Sequence, residues 1–305
     1  MTKMVIFCLL MCCRLLDKLN KWGEPLLNTI AYNPDKLLYQ PIFSKEQLSY
    51  LEALNAVSKH EFLFEPRNIE AFSIGFAHTS AVLEGNTYTP VEAEILLRSG
   101  RTAPNEKKLD EALMIRNMHD AFNYLVREAR VQKEPPPFKY LVKNLHSLVS
   151  DSLLAPQDCG VVRQSPVFVS STRYVPSDIP QQLESGLDMI ASEYQKVTNP
   201  FEKAVYVHQN LAYLQYFIDH NKRTARNMSA YSLLQGGKMP VMFTERSQNA
   251  YVTAVLDYYE SEQADYTTFM SYFISAYESV CSRMNANAVV EAKKLCGISC
   301  SVQKV

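Results

Sequence analysis

The sequence predicts a mainly α-helical protein with one small β element. Most apolar residues recur at three- and four-residue steps, and only one stretch combines β-branched with aromatic residues. Glycine is scarce, with 9 in 305 residues, where average usage would give about 21. No Rossmann fingerprint or P-loop motif is present, so the common glycine-rich phosphate loops are excluded. The length allows one large domain or two modest ones.

Three helices are predicted before residue 101 from their start and stop signals. Ser44 followed by Gln47 is a capping-box spacing, so the first helix begins just after Ser44. The second helix covers about residues 69–84 and stops at Gly85, since glycine readily takes a left-handed conformation. The third begins after Thr89, a second capping residue, and runs to the next glycine.

A long helix and a proline break come next. Asn105 is predicted to open the long helix, and three consecutive prolines at 135–137 interrupt the chain after it. Residues 138–153 are predicted to be helical again. Ser165–Tyr174 is the one strand or hairpin candidate, because it is β-branched, aromatic and bounded by prolines. The remaining predicted helices cover residues 180–194, 201–214, 221–234 and 248–259.

Charge and cysteine usage exclude several classes of protein. Lys and Arg total 31 against 32 Asp and Glu, a net charge of −1, so neither nucleic acid nor an anionic membrane is an expected partner. Seven cysteines without paired C-x-x-C spacings indicate structural thiols in a reducing, cytoplasmic compartment. The apolar run Met4–Cys13 is too short to span a bilayer. It is interpreted as part of an N-terminal helix, with a signal-peptide core as the alternative.

The densest polar cluster lies between two apolar helices, from Asp219 to Arg226. Asn221 is a good helix cap, so backbone N–H groups at this helix start would favour an anion. Lys222, Arg223 and Arg226 could converge on a polyphosphate, and Asp219 could hold its Mg²⁺. The alternative is an ordinary solvated charge run at a helix start.

At these residues the chain resembles the Fic/Doc (Fido) family. Gln215–Arg226 is similar to the Fic motif, H-P-F-x-[DE]-G-N-[GK]-R-x-x-R. Thr79–Asn86 resembles the inhibitory motif [ST]-x-x-x-E-[GN] of members that carry an inhibitory helix before the core. Gly160–Arg163 and Val167–Tyr174 resemble the family's target-docking flap. The likeness covers about residues 69–277 in the expected order.

This resemblance implies a fold and a domain organisation. The implied fold is a Fic-fold helical bundle with a small β-hairpin flap. The implied division is an unassigned segment at 1–43, a helical region at 44–134 with the inhibitory helix at about 69–84, a Fic core at 138–277 and a tail or helix at 278–305.

The resemblance also implies an activity and its site residues. Fic enzymes transfer a nucleoside monophosphate, usually AMP from ATP, to a hydroxyl side chain of a target protein. ATP and Mg²⁺ are therefore the implied cofactors. A target protein or a docked peptide is the implied partner, and self-association into a homo-oligomer is compatible with the family. The implied residues are Asp219 for Mg²⁺; Asn221, Lys222, Arg223 and Arg226 for the nucleotide; Ser80 and Glu84 for inhibition through Arg226; and Val167, Phe168 and Val169 for target docking.

Two residues depart from the family pattern. Gln215 stands where the family has its catalytic histidine, and a neutral amide cannot accept the proton of an attacking hydroxyl. His220 stands where a small residue is usual, and it is either a steric variant or a substitute base. His146 and His208 are interpreted as hydrogen-bonded core residues.

Two hypotheses about function follow. One is an ATP-binding, autoinhibited adenylyltransferase-like protein that is impaired by Gln215. The other is an inactive pseudoenzyme that binds a partner protein through its flap. The expected location is the cytoplasm, with secretion as an effector into a host cytosol as the alternative.

Overall fold

The computed structural model describes residues 28–58, 60–102, 109–131, 135–243 and 248–298. Within these ranges, eleven α-helices, three short 3₁₀-helices and a single two-stranded sheet form the fold. The prediction of a mainly α-helical protein is therefore confirmed.

The helices of the described ranges are α1 (Lys45–Val57), α2 (Pro66–Val82), α3 (Pro90–Ser99), α4 (Leu109–Val131), α5 (Phe138–Ser150), α6 (Pro180–Lys196), α7 (Pro200–Leu214), α8 (Asn221–Gln235), α9 (Gln248–Glu260), α10 (Thr267–Met284) and α11 (Ala288–Leu295). The 3₁₀-helices are Pro34–Leu37, His60–Phe64 and Pro156–Asp158. The two strands are β1 (Ile30–Ala31) and β2 (Tyr174–Val175).

Local sequence signals set several helix ends as predicted. The Ser44 side chain accepts from the Gln47 N–H while the Gln47 side chain accepts from the Ser44 N–H, which is a complete capping box. Thr89 caps α3 in the same way. Gly85 has φ 89°, the left-handed conformation expected after α2. The predicted cap Asn105 lies outside the described residues.

The centre of the fold is the pair α7 and α8, which pack against each other more extensively than any other two described helices. Every residue of α7 from Phe201 to Leu214 is buried except Lys203, and α8 is buried from Arg223 to Leu234. A helix buried on all faces needs neighbours on all sides. Around the pair lie α4, α5, α6, α9 and α10, while α2 packs mainly on α4 and contacts α8 through Ser80.

The hairpin predicted at Ser165–Tyr174 is wrong. Val167–Val169 form an irregular segment, and a strand begins only at the last residue of the predicted stretch. Ser171 has φ 63°, which takes the chain out of the extended conformation. The Glu260 carboxylate then accepts from the Arg173 N–H at 2.9 Å, so this donor is satisfied without a neighbouring strand.

The short strand β2 pairs instead with β1, in parallel. The Ile30 N–H donates to the Arg173 carbonyl at 3.0 Å, and the Tyr32 N–H donates to the Val175 carbonyl at 3.1 Å. This N-terminal region has no assignment from the sequence, because two residues are too few to carry a strand pattern.

The chain from Ile30 to Phe43, here called the N-terminal strap, is bonded to the core helices. Glu202 of α7 accepts from the Ile42 N–H at 2.9 Å and the Phe43 N–H at 3.2 Å. The Lys36 ammonium, 2% exposed, donates to backbone carbonyls at the end of α9. A cation at a helix C-terminus is favourable there.

A further difference concerns the end of one helix. Helix α5 stops at Ser150 rather than at residue 153, since Ser152 takes φ 57° and the Asn117 side chain donates to the Asp151 carbonyl. In the segment 278–305, predicted to be a tail or a helix, the structure has the helix α11, which packs on α1.

The N-terminal apolar run lies outside the described residues, as do Cys8, Cys12, Cys13 and Cys300. The three described cysteines, Cys159, Cys281 and Cys296, are free thiols. Among the described helices, none combines the length and the apolar character that crossing a membrane requires.

Candidate functional site

The loop between α7 and α8 is shaped by two residues in the left-handed conformation. Gln215 has φ 48° and ends α7, and His220 has φ 58° and precedes α8. Residues other than glycine adopt this conformation uncommonly, so surrounding contacts must hold the loop in place.

Asn221 supplies several of these contacts. Its Oδ1 accepts from the Phe217 N–H at 2.9 Å, and its Nδ2 donates to the Phe217 carbonyl at 2.9 Å and to Gln215 Oε1 at 3.3 Å. The side chain therefore closes the loop on itself. The prediction that Asn221 caps α8 is wrong, because the N-cap residue is His220 and Asn221 is the first residue of the helix. The first backbone N–H groups of α8 have no acceptor within the helix, as at any helix start.

Phe217 anchors the loop in the core. Its ring stacks on His146 of α5, with centroids 3.7 Å apart and planes 7° from parallel. His146 Nδ1 accepts from the Gly160 N–H at 2.8 Å, so the ring proton is on Nε2, which faces the Asp219 carbonyl at 3.1 Å. Burial lowers the pKa of His146 to about 3. A Cβ at Gly160 would lie 2.4 Å from Ser147 Oγ, so only glycine allows this contact.

The Gln215 side chain is engaged in the same loop. Its Nε2 donates to the Ala212 carbonyl at 2.7 Å, and Tyr259 Oη lies 3.5 Å from the same nitrogen. Its Oε1 accepts from Asn221. The amide is thus a structural link between the end of α7 and the start of α8.

His220 turns its ring toward α5. The ring is buried, and Nδ1 lies 2.8 Å from Ser150 Oγ. Burial, assisted by the Arg223 charge, lowers the pKa of His220 to about 4. The imidazole is therefore neutral near pH 7 and packs beside His146.

Asp219 presents an exposed carboxylate at the start of α8. Its side chain is 66% exposed, and Oδ1 accepts from the His220 N–H at 2.6 Å. No group of three or more His, Cys, Asp or Glu side chains in the described ranges could hold a metal ion. Mg²⁺ is commonly bound by one or two carboxylates together with ligand phosphates and water, and Asp219 fits that kind of site.

Arg223 is a buried cation without full hydrogen bonding. The residue is 6% exposed, and its Nε and Nη1 have no hydrogen-bond partner. Burial lowers the pKa of its guanidinium. Leaving two buried donors of a charged group unpaired is costly, so the position is suited to receive an anion.

Arg226, one helical turn further along α8, is fully bonded. Its Nε donates to Ser80 Oγ at 2.7 Å and its Nη2 to the Ser80 carbonyl at 3.0 Å. Its Nη1 donates to Glu84 Oε1 at 2.9 Å and to Tyr251 Oη at 3.1 Å. The residue is 1% exposed. The structure therefore brings Ser80, Glu84 and Arg226 into one buried cluster.

Glu84 lies in the turn that follows α2. Its second oxygen is 3.5 Å from Lys222 Nζ, so the carboxylate bridges two cations of α8. Burial alone would raise the pKa of Glu84, but the charges of Arg226, Lys222 and Arg223 outweigh it and hold the pKa below its ordinary value.

Comparison with known proteins connects this geometry to a family. Residues 138–233 match the model of the Fic/DOC family. The chain contains a Fic domain. It begins with α5 and includes α7, α8 and the loop between them, whereas Ser80 and Glu84 lie before it.

Relatives named "Protein adenylyltransferase Fic" support this assignment. The protein from Drosophila willistoni is 28% identical over 200 residues, covering 65% of this chain and 39% of the relative. The protein from Nematostella vectensis is 26% identical over 248 residues, covering 81% and 52%. The chain thus spans between about two fifths and one half of these relatives.

Solved structures share the fold. A Fic domain containing signalling protein from Bacteroides thetaiotaomicron superposes with a TM-score of 0.64 at 18% identity, covering 80% of this chain and 98% of that protein. Fic-1 from C. elegans, residues 134–508, gives a TM-score of 0.63 at 20% identity, covering 78% and 71%.

The predicted docking residues of the Fic domain include one that is strongly exposed. Val167, Phe168 and Val169 belong to the irregular segment before β2, and Phe168 is 73% exposed. The start of this segment is held by buried Arg163, whose Nε donates to the Gln215 carbonyl at 2.7 Å and whose Nη1 donates to the Ser165 carbonyl at 2.8 Å.

One residue of the site, Tyr251, was not predicted from the sequence; it contacts Arg226 from α9. The prediction that His208 is a hydrogen-bonded core residue is confirmed, because it is buried and lies within hydrogen-bond distance of Gln209 and Tyr251. Tyr251 is 25 positions from Arg226, and tyrosine is abundant, with 18 in the chain, so no local pattern marks it. For Arg163 the sequence predicts no individual role, because the residue is only the last one of the stretch Gly160–Arg163 that resembles the flap.

Proposed function

We propose that this chain is a Fic-type, adenylyltransferase-like protein that binds ATP and Mg²⁺ at the start of α8. The observation that carries the proposal is Arg223, a buried arginine with two unpaired donors beside the open N–H groups of a helix start. A phosphate there would satisfy these donors with charge-assisted hydrogen bonds.

The neighbouring residues fit the same ligand. Asp219 would hold Mg²⁺ against the phosphates, and Lys222 adds a third cation to the helix start. Arg226 would grip a further phosphate once freed from Glu84. Because one guanidinium cannot bond the carboxylate and a phosphate with the same nitrogens, Glu84 would inhibit productive binding.

Transfer of AMP to a target hydroxyl is expected to be slow. Gln215 offers no base, and the loss of a positioned general base typically costs about 10²–10⁴ in rate. The carboxamide instead holds the loop, so nucleotide binding does not depend on its basicity.

Calorimetry with ATP and Mg²⁺ tests the binding proposal. Glu84→Gly should raise the affinity at least tenfold because Arg226 is released, and adding Arg223→Met should abolish the gain. Glu94→Ala serves as the control, since the exposed Glu94 carboxylate pairs with the exposed Arg98 on the same helix α3. Equal ATP affinity in the native protein and Glu84→Gly would contradict inhibition by Glu84.

Labelled ATP tests the catalytic part. In the Glu84→Gly protein, Gln215→His should increase AMP incorporation into protein by about 10²-fold or more, because a base is restored. Brisk labelling by the native chain would show that Gln215 does not impair the reaction.

A second candidate is a protein-binding module without catalysis. The exposed Phe168 in the segment Val167–Val169 favours this reading, because exposed aromatic side chains commonly anchor protein contacts. Binding of a partner protein or peptide that is lost in Phe168→Asp and kept in Asp219→Asn would support it.

A further inference from the structure

We propose that Tyr251 is a positioning residue that holds Arg226 in its Glu84-bound arrangement; this rests on the proposed function. Tyr251 is 1% exposed, and its hydroxyl lies 3.1 Å from Arg226 Nη1. The same nitrogen donates to Glu84 at 2.9 Å. The inhibited state is therefore a buried cluster and not a single ion pair.

The direction of each hydrogen bond follows from the donors available. An arginine only donates, so the Tyr251 hydroxyl accepts from Arg226 and gives its own proton to His208 Nε2, 3.1 Å away. His208 must then be neutral, with its proton on Nδ1, which lies 3.0 Å from Gln209 Oε1. Burial lowers the pKa of His208 to about 3, which agrees with a neutral ring.

Packing gives this chain of hydrogen bonds little freedom. His208 of α7 is fully buried and stacks on Phe269, with ring centroids 4.5 Å apart. Ser80 bonds the other edge of the Arg226 guanidinium. Arg226 is thus held by the helices α2 and α9 at once, and moving it toward a nucleotide requires both contacts to break.

The effect on ATP binding follows from two alternative positions of Arg226, one bonded to Glu84 and Tyr251 and one directed toward a nucleotide. When the Glu84-bound position dominates, weakening it raises the apparent ATP affinity in proportion. When that position is already depopulated, weakening it further leaves the ATP affinity unchanged. The loss of one hydrogen bond to a charged group changes the equilibrium constant between two such positions by about tenfold. Tyr251→Phe should therefore raise ATP affinity about tenfold in the protein that retains Glu84, and less than twofold in Glu84→Gly.

The matched control is Tyr258→Phe. Tyr258 is on the same helix and equally buried, but its hydroxyl donates to the Lys36 carbonyl and to Asn210 and does not contact Arg226. This variant should leave ATP affinity unchanged in both backgrounds. The proposal is overturned if Tyr251→Phe has no effect, or if it changes affinity equally with and without Glu84.

If no variant binds ATP, the proposed function fails, and a ligand-free experiment still decides the role of Tyr251. Tyr251→Phe and Glu84→Gly each remove one acceptor of the same Arg226 nitrogen, so the loss of Tm in the double variant should differ from the sum of the single losses. Additive losses would overturn the proposal, because they would mean that the two contacts act independently.

Discussion

At the scale of single residues, two arginines of one helix are in opposite states. Arg223 and Arg226 are both buried, yet Arg223 has two unpaired nitrogens while every nitrogen of Arg226 has a partner. A buried charge that lacks hydrogen-bond partners destabilises a fold. Removing a buried charge whose hydrogen bonds are all made also destabilises it, because the partner groups are then left unpaired. The difference separates a guanidinium with unused hydrogen-bond donors from one whose donors are taken by Ser80, Glu84 and Tyr251.

This contrast predicts stability changes of opposite sign. Arg223→Met should raise the free energy of unfolding by about 1 kcal/mol, because it removes unsatisfied donors. Arg226→Met should lower it by about 3–5 kcal/mol, since it removes the buried partner of Glu84 and leaves that carboxylate with Lys222 as its remaining cation. Urea denaturation of both variants measures the two values. A loss of similar size in both would mean that Arg223 is satisfied in solution.

At the scale of secondary structure, the turn after α2 is held by α4. The Thr87 N–H and hydroxyl donate to one Glu111 carboxylate oxygen at 2.6 and 2.8 Å, and Asn86 Nδ2 donates to the Glu111 carbonyl at 2.8 Å. Glu84 lies three residues before Thr87. The position of the Glu84 carboxylate therefore depends also on contacts between this turn and α4, both of which precede residues 138–233 in the chain.

Loosening this turn should weaken inhibition. Glu111→Ala is expected to lower the stability by about 1–2 kcal/mol and, under the proposed function, to raise ATP affinity about threefold. Thermal unfolding and calorimetry measure the two effects. The exposed carboxylate Glu94, which forms an i,i+4 pair on α3, provides the control, and Glu94→Ala should change neither quantity. Unchanged ATP affinity in Glu111→Ala would show that the turn does not depend on this contact.

At the scale of the whole molecule, buried neutral histidines make the fold sensitive to acid. Burial lowers the pKa of both His146 and His208 to about 3. The unfolded chain, with imidazole pKa values near 6.5, binds more protons than the native protein over this range. Stability is therefore complete above about pH 6.5 and is lost progressively as the pH falls toward 3.

The expected loss at pH 5 is about 2 kcal/mol for each of these histidines. Urea unfolding measured between pH 7 and pH 4.5 tests it, and His208→Gln should remove about one proton from the pH dependence. A stability curve that stays flat down to pH 5 would show that these rings are protonated in the native protein.

The sequence by itself determined the helical class and several helix boundaries, and its resemblance to the Fic family implied the association of Glu84 with Arg226. Capping boxes and glycine stops act within a few residues, so Ser44, Thr89 and Gly85 are readable without the rest of the fold. The motifs place Ser80 and Glu84 before the polar helix start in the sequence, and the structure brings both residues into contact with Arg226.

Only the tertiary structure decided the pairing of β1 with β2, the unpaired state of Arg223 and the contact of Tyr251 with Arg226. Most of the stretch Ser165–Tyr174 forms no strand, because a strand needs a partner to bond with. The only partner present in the described residues is β1, a two-residue segment more than 140 positions away, and it pairs with Tyr174 and Val175. Hydrogen-bond satisfaction depends in the same way on which distant groups share a buried space. The periodicity of apolar residues within one helix carries no information about these partners, because the partners are brought together by packing between helices.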